Sequence, residues 1–337
     1  MNNIVKIVFV IIGTMIGAGF ASGQEIYLFF FSHGKEGLIG ILISCFIIGI
    51  VVYKTLSILN ENNINNYKTF LDILIGKKMK LKPIINTIIN IFILITFFIM
   101  IAGFGAYFEQ ELGISPIIGS SILAIIAFAI FMTSVKGVVK ANEIMVPILI
   151  SFLVIIGVIT LKEVHFMELG KYMIKTNNSS FILSAILYSS YNSILLIPVM
   201  LTLKDYINNK KQILKITVIS TIILMILSFI IFLILTKVDV DISKLEMPAV
   251  YVVSNIFKGL KYLYGFIIVG SIFTTAISLG SSFLQNTAKN KKSYTQIAII
   301  MCITSVIVSN IGFSNLVSFL YPIFGYLGLI QIIKIVI

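Results

Sequence analysis

The chain has 337 residues, 58% of them hydrophobic and only 11% charged, with a mean hydropathy of +1.08. A water-soluble domain carries about 25% charged residues, so the composition excludes a single aqueous fold and indicates an integral membrane protein. The net charge of +12 comes entirely from lysine; tryptophan is absent, and an interfacial aromatic belt rests on the 14 tyrosines.

The apolar runs, such as 84–105 and 213–236, are long and unbroken. They predict helices rather than the alternating segments of about 10 residues that build a membrane barrel. Ten spans are expected, at 4–31, 37–59, 83–108, 115–134, 143–161, 180–203, 212–236, 260–286, 295–311 and 314–336. The first apolar run passes through a small-residue stretch and continues to Phe31, so it reads as a span rather than a cleaved leader. Cys45 and Cys302 both lie inside spans and read as small core residues, not as a disulfide.

With the N-terminus in the cytoplasm, 17 of the 25 lysines fall on the inner side. That bias orients the bundle with both termini inside a bacterial cell membrane. The basic excess is therefore a topology signal rather than a nucleic-acid footprint, and clusters such as Lys77 to Lys82 face anionic lipid head groups. The inner connector 60–82 is amphipathic and predicts a short surface helix. The outer connectors are 162–179 and 237–258; in the second, Met247-Pro248 opens a short helix expected to cap the outer mouth. The chain then divides into spans 1–5 (residues 1–161), the outer connector 162–179 and spans 6–10 (residues 180–337). An odd number of spans per half gives the halves opposite orientations, as in an inverted repeat.

The first span contains GTMIGAGFASGQE from Gly13 to Glu25, with Gly13, Gly17, Gly19 and Gly23 inside one apolar run. Each glycine costs a helix about 1 kcal/mol against alanine, so this run predicts a break near mid-membrane. Such a break persists only where it is buried in protein or lines a wet cavity. The glycine spacings also match tandem GxxxG helix packing. In the sixth span, Tyr188, Ser189, Ser190, Tyr191, Asn192 and Ser193 form a polar group near the centre, which predicts a matching break. In the eighth, Ser271, Thr274, Thr275 and Ser278 share one helical face. Together with carbonyls freed at the first break, those hydroxyls could hold a small hard cation; bonding within their own helix is the simpler alternative.

These segments, with IFTTA at 272–276 and YPIFGYLG at 321–328, resemble the amino acid–polyamine–organocation transporter superfamily, and within it the YkvI-type bacterial membrane proteins. The resemblance spans the whole chain. It implies an all-helical leucine-transporter-type fold, a five-plus-five inverted repeat with broken first and sixth helices. It implies a coupling sodium ion held by the carbonyls of Gly13, Ile16 and Ser271 and the hydroxyls of Thr274 and Thr275. Some proton-coupled relatives use a lysine of the fifth span there; this chain has none between Lys140 and Lys162, only Ser151, which favours sodium. The resemblance also implies a substrate carboxylate against the amides near Gly17, Ala18 and Gly19, at the positive end of a half-helix. The facing wall would be Tyr188, Tyr191, Asn192 and Ser193, with Gly103 and Tyr107 as lining or gating positions and simple helix packing as the alternative for Gly103.

No charged side chain is expected at the centre of any span: Glu25, Glu109 and Glu111 count to outer ends and Glu143 to an inner end. That favours a small neutral zwitterion such as an apolar amino acid. Glu25 is an outer-gate or proton-coupling candidate, or a solvated helix end. GFASG resembles an intramembrane protease motif, but His33 and His165 lie in outer connectors and supply no base. No GxxxxGK[ST] loop supports ATP-driven transport. The expectation is a non-enzymatic symporter with sodium as coupling ion, no other cofactor and a small-molecule substrate. A nutrient or germinant receptor on the same fold and a proton-coupled transporter stay open, as does the oligomeric state. A channel would need a continuous polar lining, and none is evident.

Overall fold

The computed structural model describes residues 3–62, 64, 69–70, 73, 82–132, 136–163, 175–201, 203–256 and 258–336. All regular structure among them is helical. In chain order the helices are α1 (Asn3–Met15), α2 (Ala18–Ala21), α3 (Gln24–Phe29), α4 (Glu36–Glu61), α5 (Lys82–Leu112), α6 (Pro116–Phe131) and α7 (Lys136–Glu163). They continue with α8 (Phe181–Leu201), α9 (Lys210–Leu235), α10 (Pro248–Ile256), α11 (Lys261–Thr287), α12 (Lys291–Ser309) and α13 (Phe313–Val336).

Seven described helices are long and apolar enough to cross a bilayer, and Asn3–Met15, Pro116–Phe131 and Pro147–Leu161 are shorter apolar helices. These ten segments follow the order of the ten expected spans. Helices meet the demand of the hydrocarbon, because each satisfies its own backbone polar groups. The large apolar side chains left on the outside, such as Phe46, Ile125, Ile300 and Phe319, suit a lipid surround. The expected amphipathic helix of the inner connector, with Lys68, Lys77, Lys78 and Lys80, lies outside the described residues, as does His165.

The packing pairs are informative. α8 packs on α4 and on α13, α1 on α9 and on α7, α5 on α6 and on α12, and α11 on α12 and on α6. Exchanging each span for the one five later turns every pair in that set into another member of it. α1, α8, α5 and α11 are the innermost elements, and the site is built where they meet.

The first span is broken, as expected. The α1 ladder ends with the Ile16 N–H on the Ile12 carbonyl at 2.9 Å. Gly17 is extended (φ −90, ψ −168) and starts the single turn of α2. A second interruption follows at Gly23, whose φ of 85 lies in the left-handed region that favours glycine. This turn redirects α3. The sixth span corrects the expectation: α8 runs without interruption from Phe181 to Leu201. Its polar group is absorbed by its own backbone. Ser189 and Ser190 donate to the carbonyls of Ala185 and Ile186 (both 2.8 Å), Asn192 to Tyr188 (3.0 Å) and Ser193 to Ser189 (2.6 Å). Such i−4 bonds satisfy mid-membrane polar side chains without opening the helix.

Candidate functional site

Two clusters flank the broken first span. At the first, the break meets α11. Ser271 Oγ donates to the Ile16 carbonyl at 2.7 Å, a carbonyl that no helix rung consumes. Thr274 Oγ1 donates to the Ser271 carbonyl at 3.2 Å, and Ser278 Oγ to the Thr274 carbonyl at 2.8 Å. The Thr275 methyl faces Gly17, 3.8 Å from where a Cβ would stand. Gly13 sits on the last turn of α1, one residue before Thr14, whose hydroxyl bonds back to the Val10 carbonyl at 2.7 Å. Ile16, Ser271, Thr274 and Thr275, expected together, are therefore together. The Ile16 carbonyl and the three side-chain hydroxyls offer only oxygens, the donor type that hard cations take.

The second cluster is the larger surprise. Glu25 is 3% exposed, buried in the core rather than solvated at an outer end. The Gly23 turn is the physical reason: counted along a straight helix residue 25 lies near the surface, but after the turn its side chain folds back over α2. A Cβ on Gly19 would stand 2.8 Å from Glu25 Cγ and overlap the carboxylate. The carboxylate accepts from the Tyr191 hydroxyl and from the Phe20 N–H. The reading of Glu25 as a solvated helix end is thus overturned, and a buried acid beside the break weakens the ground for a substrate without net charge.

Aromatic rings enclose this acid. Tyr191 stacks between Phe29 (5.6 Å between centroids) and Tyr321 (4.7 Å). Tyr188 stands edge-on to Tyr191 (5.5 Å), Phe29 (5.5 Å) and Phe30 (4.8 Å). The Tyr188 hydroxyl is buried, with the Asn192 side chain beside it. Asn192 Nδ2 and Ser193 Oγ, expected on the same wall, bond the α8 backbone, so the carbonyls of Tyr188 and Ser189 are not free as expected. Gly103 packs on Phe313 at 3.1 Å and on Ala18 at 3.4 Å, measured from a Cβ built on it, which brings α5 to the break. The Tyr107 hydroxyl instead packs on Gly265 of α11. Tyr321, Phe29 and Phe30 were not singled out for the site. YPIFGYLG at 321–328 marked Tyr321 only as part of a motif.

A third group closes the outer end. Gln24 Nε2 donates to the carbonyls of Leu245 (2.5 Å) and Glu246 (3.1 Å), and the Ala249 N–H to Ser22 (2.8 Å). Gln110 of α5 bonds Met247 twice, at 3.2 and 3.0 Å. Glu246 accepts from the Ser314 N–H at 2.6 Å, at the start of α13. Tyr264 OH donates to the Ala21 carbonyl at 2.6 Å. Residues 245–249 and α10 therefore latch α2–α3, α5 and α13 across the outer face, the cap expected from Met247-Pro248. His33, expected at the surface, is 1% exposed with neither ring nitrogen hydrogen-bonded. Its turn is pinned by the N–H groups of Thr176 and Asn177 on the Ser32 carbonyl, both at 2.9 Å.

The latch carries a pH dependence. Burial, and secondarily the nearby Glu109, push the half-buried Glu246 carboxyl above its ordinary range, against the bonds from Ser314 and Phe313. The folded state then binds more protons than the unfolded one, so stability falls as pH rises from the ordinary carboxylate value through the raised one. Glu246→Gln is expected to flatten that stretch of a thermal-stability profile; an unchanged profile assigns it to another group.

Comparison with known proteins agrees with this architecture. No family model matches the chain. The membrane protein YkvI of Bacillus subtilis (strain 168) is 30% identical over 333 residues, covering 96% of this chain and 92% of that protein. Among solved structures, MhsT in complex with L-phenylalanine superposes with a TM-score of 0.65 at 15% identity, over 97% of this chain and 87% of MhsT. A Na+-coupled sialic acid symporter gives a TM-score of 0.59 at 12% identity, over 97% and 76% of the two chains. The fold is that of the leucine-transporter type, and these structural neighbours are transporters, not enzymes.

Proposed function

The chain belongs to the YkvI family of membrane proteins, and we propose that it is a secondary active transporter coupling sodium entry to uptake of a small amino-bearing solute by alternating access. The class expected from the sequence, a small neutral amino acid or similar zwitterion, is the starting substrate set. The observation that carries the reading is the break of the first span at Ile16–Gly17 facing the α11 hydroxyls, with Ser271 Oγ 2.7 Å from the Ile16 carbonyl. Gly13, Ile16, Ser271, Thr274 and Thr275 are the proposed ligands of Na+, which enters downhill by about 2.3 kcal/mol per 100 mV of membrane potential. The solute site lies beside α2, with Gly17, Ala18 and Gly19 on one side, Tyr188 and Tyr191 on the other and Glu25 between them. The exchangeable packing pairs support two inverted halves, residues 1–161 and 180–337, within which the bundle of spans 1, 2, 6 and 7 rocks against spans 3, 4, 8 and 9. The lysine bias supports cytoplasmic termini in a bacterial cell membrane.

The test is uptake of labelled amino acids and their amines into proteoliposomes holding the full chain, under an inward sodium gradient with the inside negative. Sodium-dependent accumulation, with counterflow of preloaded solute, is expected. Accumulation driven by a pH gradient without sodium would establish the proton-coupled alternative. Binding without counterflow would make the protein a receptor.

A further inference from the structure

We propose that Glu25 and the rings around it form an ammonium site, and that the transported solute is a cationic amine without a free carboxylate. This rests on the transport reading above and deepens it. Four observations carry it. First, Glu25 is a buried carboxylate with no buried lysine among the described residues to compensate it. The Tyr191 hydroxyl and the Phe20 N–H supply hydrogen bonds but no charge. A buried carboxylate without a counter-charge is costly, and a solute cation supplies the missing charge.

Second, the walls are aromatic. The neighbouring pairs Phe29–Tyr188, Phe29–Tyr191, Tyr188–Tyr191 and Tyr191–Tyr321 stand 4.7–5.6 Å apart, ring centroid to centroid. Aromatic rings attract organic cations, and an aromatic cluster beside one carboxylate matches an alkylammonium; Tyr191, covered by Phe29 and Tyr321, contributes its hydroxyl rather than a ring face. The same set suits a hard metal ion poorly, since such an ion takes a shell made of oxygens and these walls are mainly ring carbon. No group of three metal-ligating acidic, histidine or cysteine side chains occurs among the described residues.

Third, the position expected to receive a solute carboxylate is covered by the protein's own. Glu25 overlies Gly19 and takes the Phe20 N–H. An incoming carboxylate would have to displace Glu25 from over Gly19 and from the Phe20 N–H, the place the amides of α2 would otherwise offer it. Fourth, the Tyr188 hydroxyl is fully buried in the same cluster, with the Asn192 side chain beside it. Its oxygen can accept from an ammonium N–H.

The experiment uses the purified full chain and a panel of the twenty common amino acids, each beside its decarboxylated amine. Binding is read by thermal shift and calorimetry, then by counterflow in proteoliposomes. At least one amine is expected to bind ten-fold or more tightly than its parent amino acid. Glu25→Gln should lose that binding ten-fold or more, and Tyr191→Phe by a smaller factor. Retained sodium stabilisation in Glu25→Gln reports that the variant is folded, because the sodium ligands are separate residues. An amino acid binding as tightly as its amine, or Glu25→Gln binding the amine unchanged, overturns the proposal. Counterflow of amino acids but not of amines overturns it while leaving the transport reading intact. No binding or counterflow by any member of the panel overturns both.

Discussion

Sodium, but not potassium, is expected to raise the melting temperature of the purified protein, and Thr274→Ala/Thr275→Ala to abolish the difference. A ligand that binds only the folded state stabilises it by mass action, about 2.7 kcal/mol at a concentration 100 times its dissociation constant. The two hydroxyls are the proposed site's side-chain ligands, so removing both leaves only carbonyls, one of them already engaged by Ser271. The variant should fold in potassium as the wild type does, because Thr274 makes a single long bond within its own helix and Thr275 faces Gly17 through its methyl. Equal stabilisation of the variant and the wild type by sodium would remove the site from the first break. Absence of any salt difference in the wild type would move coupling to the proton.

The second large effect is expected at Gly19. Its Cα lies directly under Glu25, and a methyl there overlaps the carboxylate and crowds Cγ at 2.8 Å. Overpacking of a core costs about 1–3 kcal/mol. Gly19→Ala should lower stability by that amount and abolish uptake, because the acid is forced from its bonds with Tyr191 and Phe20. Glu25→Ala alone leaves the Tyr191 hydroxyl without its partner, at about 1–3 kcal/mol. The double variant is the informative measurement. With the carboxylate gone the methyl has space, so Gly19→Ala should cost less in the Glu25→Ala background, with a coupling of about 0.5–3 kcal/mol. Strict additivity would show that Glu25 does not rest on Gly19.

The reach and the limit of sequence reading are both visible at these residues. Apolar run length determined the membrane class and the order of the ten segments, because the bilayer sets helix length and forbids unpaired backbone. Glycine density determined the break of the first span, because the cost is local to the residues themselves. The shared face of Ser271, Thr274 and Thr275 was legible from helical periodicity; at the break Ser271 bonds the Ile16 carbonyl, whereas Thr274 bonds within its helix and Thr275 turns its methyl to Gly17. The sixth span was misjudged because a polar cluster reads alike whether it opens a helix or bonds back to carbonyls four residues earlier. Ser189, Ser190, Asn192 and Ser193 all do the latter. Glu25 was misjudged because counting along a helix assumes the helix continues, whereas the turn at Gly23 returns the side chain to the core. The latch of Gln24, Gln110, Glu246 and Ser314 joins residues far apart in the chain, which no local pattern records.

The sequence by itself thus determined the lipid environment, the helical class and the location of the first break, all consequences of composition and short-range backbone energetics. Tertiary packing settled that the sixth span stays whole, that an acid is buried beside an aromatic cluster, and that residues 245–249 tie α2–α3, α5 and α13 together. Those outcomes depend on which distant groups meet and satisfy one another once the backbone has turned at Gly23.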